Sequence, residues 1–99
     1  MLFRSNEKSQ YWYIAMRFRN IEFRWSKCNN KYELVKWYPQ THGETCCVIA
    51  FFDKDKEGYD MRTIGDRFFE DKDAFVVAKY GLEFLNAIYY IEKEEEELE

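Results

Sequence analysis

The chain has 99 residues, 46% hydrophobic, 34% charged and 20% aromatic, with 15 Lys/Arg against 19 Asp/Glu and a formal net charge of −4. That length suits one autonomous domain (1–99) with a real core, and the composition excludes a chain disordered throughout. No run of about eighteen apolar residues occurs, which excludes a membrane-spanning helix.

Residues 1–10, MLFRSNEKSQ, are polar and expected to be flexible; they lack the apolar stretch of a secretory signal, which implies the cytoplasm of a cell or infected host. Residues 11–18, YWYIAMRF, alternate as a half-buried strand does. Trp12, Ile14, Met16 and Phe18 fall on one face and Tyr11, Tyr13, Ala15 and Arg17 on the other. The phase flips after Asn20, where Ile21, Phe23 and Trp25 become the apolar set. A tight turn or bulge at Arg19-Asn20 puts both sets on one face. Asn29-Asn30 suits a two-residue turn with positive φ, pairing the second strand with residues 32–38. The proline and glycine of PQTHGET predict a break in the sheet. Residues 46–52, CCVIAFF, then read as a central strand covered on both faces.

From Asp71 the apolar period becomes helical. Phe75, Ala78, Leu82, Leu85 and Tyr89 recur at steps of three and four, as do Val77, Phe84, Ile88 and Ile91, with Asp71 or Asp73 placed to cap the start. Gly81 inside this stripe predicts close approach of the helix to the sheet. The glutamates of residues 92–99 oppose the helix dipole, so the last turn is expected to fray. The predicted architecture is α+β: an antiparallel meander of about five strands with one C-terminal helix packed on the sheet.

Charge is distributed as a gradient. Residues 1–38 carry eight Lys/Arg against three acids, residues 39–91 six against ten, and residues 92–99 one lysine against six glutamates. Two binding surfaces follow. One is acidic: Asp53, Asp55, Glu57, Asp60 and Asp66, with residues 70–73 and the tail, suited to a basic partner surface. The other is basic and aromatic: Tyr11, Tyr13, Arg17, Arg19, Arg24 and Trp37, a combination that stacks nucleobases and pairs phosphates, or forms a protein hot spot or a homodimer seam.

Catalytic and metal motifs are weak. Asp53, Asp55, Glu57 and Gly58 open like a calcium loop, but Ile64 stands where the bidentate glutamate belongs and strands flank the segment, so a charged hairpin tip is expected. Cys46 and Cys47 lie near His42 in sequence, yet neighbours in a strand face opposite ways, no C-x-x-C occurs, and core thiols are expected. Three cysteines, two adjacent, also make a poor disulfide framework. Asp66 and Arg67 suit a local ion pair at the strand-to-helix turn, or Arg67 an anion site. No cofactor, metal or enzymatic activity is predicted.

The segment C-x-x-A-F-F-x-K-D-x-E-G-Y-D-M-R-x-I-G-D-R, Cys47 to Arg67, with AKYGLEFL at 78–85, resembles small proteins of Firmicutes phages and prophages that have no established activity. The resemblance spans roughly the last 60 residues and rests on recurring spacing, not on a diagnostic motif. It implies a phage setting, in which small acidic proteins without an active site often inhibit host defence, as anti-CRISPR proteins do, or act as ligand sponges. Within that setting the leading expectation is a non-enzymatic protein that binds and blocks a nuclease or other defence component. A nucleic-acid or nucleotide-binding module is the alternative, and neither reading involves a membrane.

Overall fold

Alternation in the first two-thirds of the chain builds strands, and the 3.6-residue stripe behind it builds one long helix across them. The structure is a computed structural model in which residues 15–98 are described. Tyr11, Tyr13 and the start of the first predicted strand therefore lie outside the described residues. Among the described residues there are five strands: β1 (Met16–Phe18), β2 (Ile21–Ser26), β3 (Lys31–Gln40), β4 (Gly43–Asp55) and β5 (Gly58–Thr63). They form one antiparallel sheet in the order β1-β2-β3-β4-β5, followed by a turn of 3-10 helix (Arg67–Glu70) and helix α1 (Lys72–Leu98). The predicted α+β meander is the observed fold.

The phase flip is a two-residue turn. Phe18 pairs with Ile21, and Arg19 takes φ 58° between them, so Met16, Phe18, Ile21 and Phe23 share the face that meets α1. The next turn differs from expectation: four residues, 27–30, join β2 to β3. Ser26 is the reason. Its carbonyl accepts the Asn30 N–H at 2.7 Å and its Oγ accepts the Asn29 N–H at 3.2 Å, with Asn30 at φ 56° closing the loop. Arg24 consequently opposes Glu33.

PQTHGET does not break the sheet, contrary to the sequence expectation. β3 continues to Gln40 and turns into β4 through Thr41 and His42, with Gly43 at φ 109°. Pro39 is tolerated because β2 pairs with β3 only as far as Lys36, leaving Pro39 with a neighbour on one side alone. Further along, Leu34 opposes Ala50 while Val35 opposes Val48, so Ile49 is the extra residue of a bulge. Ile49 is fully buried, and its carbonyl accepts the Ile64 N–H at 2.9 Å, which pins the end of β5. Ile49, Ala50 and Phe52 are buried while Cys46, Cys47, Val48 and Phe51 are half-buried, so β4 is covered more fully on its helix side.

Asp71 caps α1. Its Oδ1 accepts the Asp73 N–H at 2.9 Å and its carbonyl accepts the Ala74 N–H at 2.9 Å, while Oδ2 pairs with Lys36 at 3.4 Å. The helix lies against β5, β2 and β1 and buries Ala74, Val77, Ala78, Gly81 and Leu85. Phe75 and Ile91, expected in the buried stripe, are instead 49% and 54% exposed. The stripe is narrower than the sequence suggests, because its small residues bring the helix axis close to the sheet. Gly81 makes that approach: a Cβ there would stand 2.6 Å from the Phe23 ring. Phe23 is itself fully buried, stacked on Tyr32 at 5.0 Å and edge-on to Phe52 at 5.2 Å, and forms the centre of the core. The expected loose end of α1 is helical through Leu98.

Candidate functional site

Strand alternation places Arg17, Glu22, Arg24, Lys31, Glu33, Val35, Trp37, Phe51, Asp53 and Arg62 on the face of the sheet away from α1, as the cross-strand register requires. Trp37 is flanked by two guanidinium groups, Arg17 at 5.1 Å and Arg24 at 5.9 Å from its ring, and its Nε1–H donates to Glu22 at 3.0 Å. Phe51 is flanked in the same way by Lys31 at 5.6 Å and Arg62 at 5.4 Å. The predicted interleaving of aromatic and basic side chains is therefore present for Arg17, Arg24 and Trp37. Arg19 lies apart, in the β1–β2 turn, over the Phe18 ring at 4.8 Å and 3.5 Å from Asp73.

Composition gave no sign of the carboxylates interleaved with these cations. Arg17 meets Glu44 at 3.0 Å, Arg24 meets Glu33 at 2.9 Å, and Asp53 holds both Lys31 at 2.8 Å and Arg62 at 2.9 Å. Burial pulls the Arg24 guanidinium down, but its hydrogen bond to Glu33 and the charges of Glu33, Cys46 and Glu22 outweigh that and hold it above its ordinary value. Glu33 is only 3% exposed, and its second oxygen has no hydrogen-bond partner among the described residues. A phosphate arriving on this face would have to compete with carboxylates already in place.

The acidic candidates occupy four different environments. Asp53 is half-buried, and hydrogen bonds from Arg62 and Lys31 hold its carboxyl below the ordinary range. Asp55 closes the β4–β5 hairpin, its carboxylate accepting the Glu57 N–H at 2.8 Å. Glu57 and Asp60 are exposed, and Asp66 sits before the 3-10 turn, where its carbonyl accepts the Phe69 N–H at 3.0 Å. The calcium-like spacing is thus a hairpin, with Gly58 at φ 125°, and no group of metal-binding side chains occurs among the described residues.

The hairpin is strapped to α1, which the sequence did not reveal. Asn86 accepts the Tyr59 N–H at 2.7 Å and donates to the Tyr59 carbonyl at 3.2 Å, replacing a neighbouring strand at the sheet edge. The hydroxyls of Tyr89 and Tyr90 donate to the carbonyls of Lys56 and Glu57. Asp55, Glu57 and Asp60 are thereby joined to the helix turns that carry Glu92 and the exposed Glu94–Glu97. Burial pushes the Glu92 carboxyl up, Lys54 opposes that, and Glu95 and Glu96 add to it.

The cysteines are not assembled with His42, which lies in the exposed β3–β4 turn. Cys46 is turned to Arg24 at 3.8 Å and Cys47 accepts from Arg67 at 3.1 Å; both are half-buried, not fully buried core residues, and Cys28 is exposed. Arg67 therefore turns to Cys47, and Asp66 is not its ion-pair partner. A further feature absent from the sequence reading is the exposed apolar set Phe69, Phe75, Val76, Tyr80, Tyr90 and Ile91 along the 3-10 turn and α1. Comparison of the chain with family models, with characterised proteins and with solved structures finds no match.

Proposed function

We propose that this protein is a non-enzymatic phage accessory protein that binds and blocks a basic, nucleic-acid-handling component of bacterial defence, a CRISPR or other nuclease. The observation that carries this reading is the acidic end of the molecule, where the β4–β5 tip and the last turns of α1 are held together through Asn86, Tyr89 and Tyr90. Clustered exposed carboxylates suit a channel built to attract phosphates. The exposed apolar side chains of α1 favour a protein partner over a nucleic acid, because aromatic anchors ringed by charge are what protein interfaces bury. The opposite face supports the alternative less well, since Arg17 and Arg24 already rest on carboxylates of their own chain. The phage setting derives from the sequence resemblance.

The test is inhibition of DNA cleavage by purified CRISPR nucleases, beside capture from nuclease-treated bacterial lysate. Wild-type protein is expected to inhibit in a salt-sensitive manner, and a variant with Glu57→Lys, Asp60→Lys, Glu94→Lys and Glu95→Lys is expected to lose inhibition while keeping its fold. Undiminished inhibition by that variant would overturn the acidic-end reading. Binding of short single-stranded DNA or RNA at low salt, abolished by Arg17→Ala with Trp37→Ala, would establish the alternative instead.

A further inference from the structure

Helix α1 gives one face to the sheet, through Ala74, Val77, Ala78, Gly81 and Leu85, and leaves a second apolar stripe in solvent. That stripe is Val76, Tyr80, Ala87 and Ile91, all exposed, with Tyr80 at 57% and Ile91 at 54%. Steps of four, seven and four residues keep the set on one side of the helix, the spacing of a coiled-coil seam. Phe75 lies on the other flank, packed beside Phe69 and Phe68, and is not part of it.

The stripe is symmetric about the point between Glu83 and Phe84. Val76 and Ile91 lie equally far from that point, and so do Tyr80 and Ala87. A second α1 laid antiparallel across it sets Val76 on the partner's Ile91 and the large Tyr80 on the partner's small Ala87. Charge follows the same symmetry. Lys72 and Lys79 are exposed at the start of the helix, and Arg19 stands there beside Asp73 at 3.5 Å; Glu94, Glu95 and Glu97 are exposed at its end. Neither lysine forms an ion pair among the described residues. The antiparallel copy brings the partner's Glu94 to Lys72 and the partner's Glu95 to Arg19, twice over. Like charges meet at the axis, where the two Glu83 side chains approach, and Lys79, one turn away on each helix, offsets them.

We propose that the exposed stripe of α1 is a docking surface for a second copy of this chain, paired antiparallel along Val76, Tyr80, Ala87 and Ile91. A parallel pair would stack basic end on basic end and acidic end on acidic end, so the charges select the antiparallel one. From Lys72 to Glu95 the seam is about 35 Å long. The partner's cations over the last turns favour a helix that runs to Leu98 although its own carboxylates oppose the dipole. This surface is distinct from the basic aromatic sheet face. It leaves Phe69, Phe75 and the β4–β5 tip outside the seam and does not rest on the acidic-end reading. Self-association is measured with no target present, so its failure would leave that reading untouched.

The experiment is sedimentation equilibrium of the full chain at low salt, from micromolar to near-millimolar concentration. The expected result is a reversible monomer–dimer equilibrium with a Kd on the order of 10 μM, weakened by added salt. Ile91→Lys should raise that Kd about tenfold or more while keeping Tm, because Ile91 is exposed in the monomer. Lys72→Glu should also weaken the dimer, and Lys72→Glu combined with Glu94→Lys should restore it, which a loss of fold could not do. Orientation is read by cross-linking in a Cys28→Ser background, which removes the exposed thiol. Mild oxidation should link two copies of Glu83→Cys, which meet at the axis, and not two copies of Glu97→Cys, which lie about 40 Å apart. A monomer at every concentration, an unaffected Ile91→Lys variant, no rescue by the exchanged charges, or cross-linking through Glu97→Cys in place of Glu83→Cys would each overturn the proposal. So would a dimer dissociated by Arg17→Ala with Trp37→Ala, which would move the seam to the sheet.

Discussion

Replacing Gly81 with alanine tests whether the core is built around helix-to-sheet contact. On an exposed helix this substitution stabilises by about 1 kcal/mol, because alanine loses less backbone entropy. Here the new methyl carbon would lie 2.6, 2.8 and 3.2 Å from three atoms of the Phe23 ring. The ring has little room to retreat, being fully buried between Tyr32, stacked at 5.0 Å, and Phe52, edge-on at 5.2 Å. Overpacking of a tight core costs about 1–3 kcal/mol, so it outweighs the propensity gain, and Gly81→Ala should destabilise by about 1–2 kcal/mol. For a domain of this length that corresponds to a fall in Tm of about 5–15 °C, readable by thermal circular dichroism and checked by urea denaturation at constant m. A rise in Tm would refute the reasoning outright. A second measurement isolates the contact: in a Phe23→Leu background the penalty of Gly81→Ala should shrink markedly. Strict additivity of the two substitutions would show that the ring is not what the methyl meets.

Asn86→Ala removes both partners of the Tyr59 backbone and should destabilise by about 1–3 kcal/mol while accelerating hydrogen exchange at the Tyr59 amide; unchanged exchange there would rule out the strap. The pKa of Glu92 is raised on folding, so the stabilisation linked to its proton is present at low pH and lost as pH rises through the folded value. Mild acidification from neutrality should therefore firm the end of α1, seen as slower exchange of amides 92–98 after correction for intrinsic rates, and faster exchange would contradict the sign. Calcium should leave Tm unchanged, because Asp53 is engaged by Lys31 and Arg62 and Asp55 by its own turn; a clear rise would revive a metal loop.

Much of the architecture was legible because it is local. Period-two alternation marked the strands around Met16–Phe18 and Ile21–Trp25, a polar cap at Asp71 or Asp73 marked the helix start, and a glycine inside an apolar stripe marked the close approach at Gly81. Each is written within one turn or one strand, so neighbouring residues suffice to read it. The pairing between strands is not written that way. A two-residue turn at Asn29-Asn30 would have set Arg24 opposite Val35, whereas the four-residue loop organised by Ser26 sets it opposite Glu33. A slip of two residues keeps every side chain on its face but exchanges its partners, and it turns an arginine free to hold phosphate into one held by its own chain. The helix shows the same division: its period gave its existence, but its rotation against the sheet left Phe75 and Ile91 exposed. What the sequence by itself determined was which residues are apolar, in what period, and where the helix begins; where β3 and β4 begin, which charges meet and which aromatics stay exposed were decided by register and by helix rotation, because those depend on contacts between residues far apart in the chain.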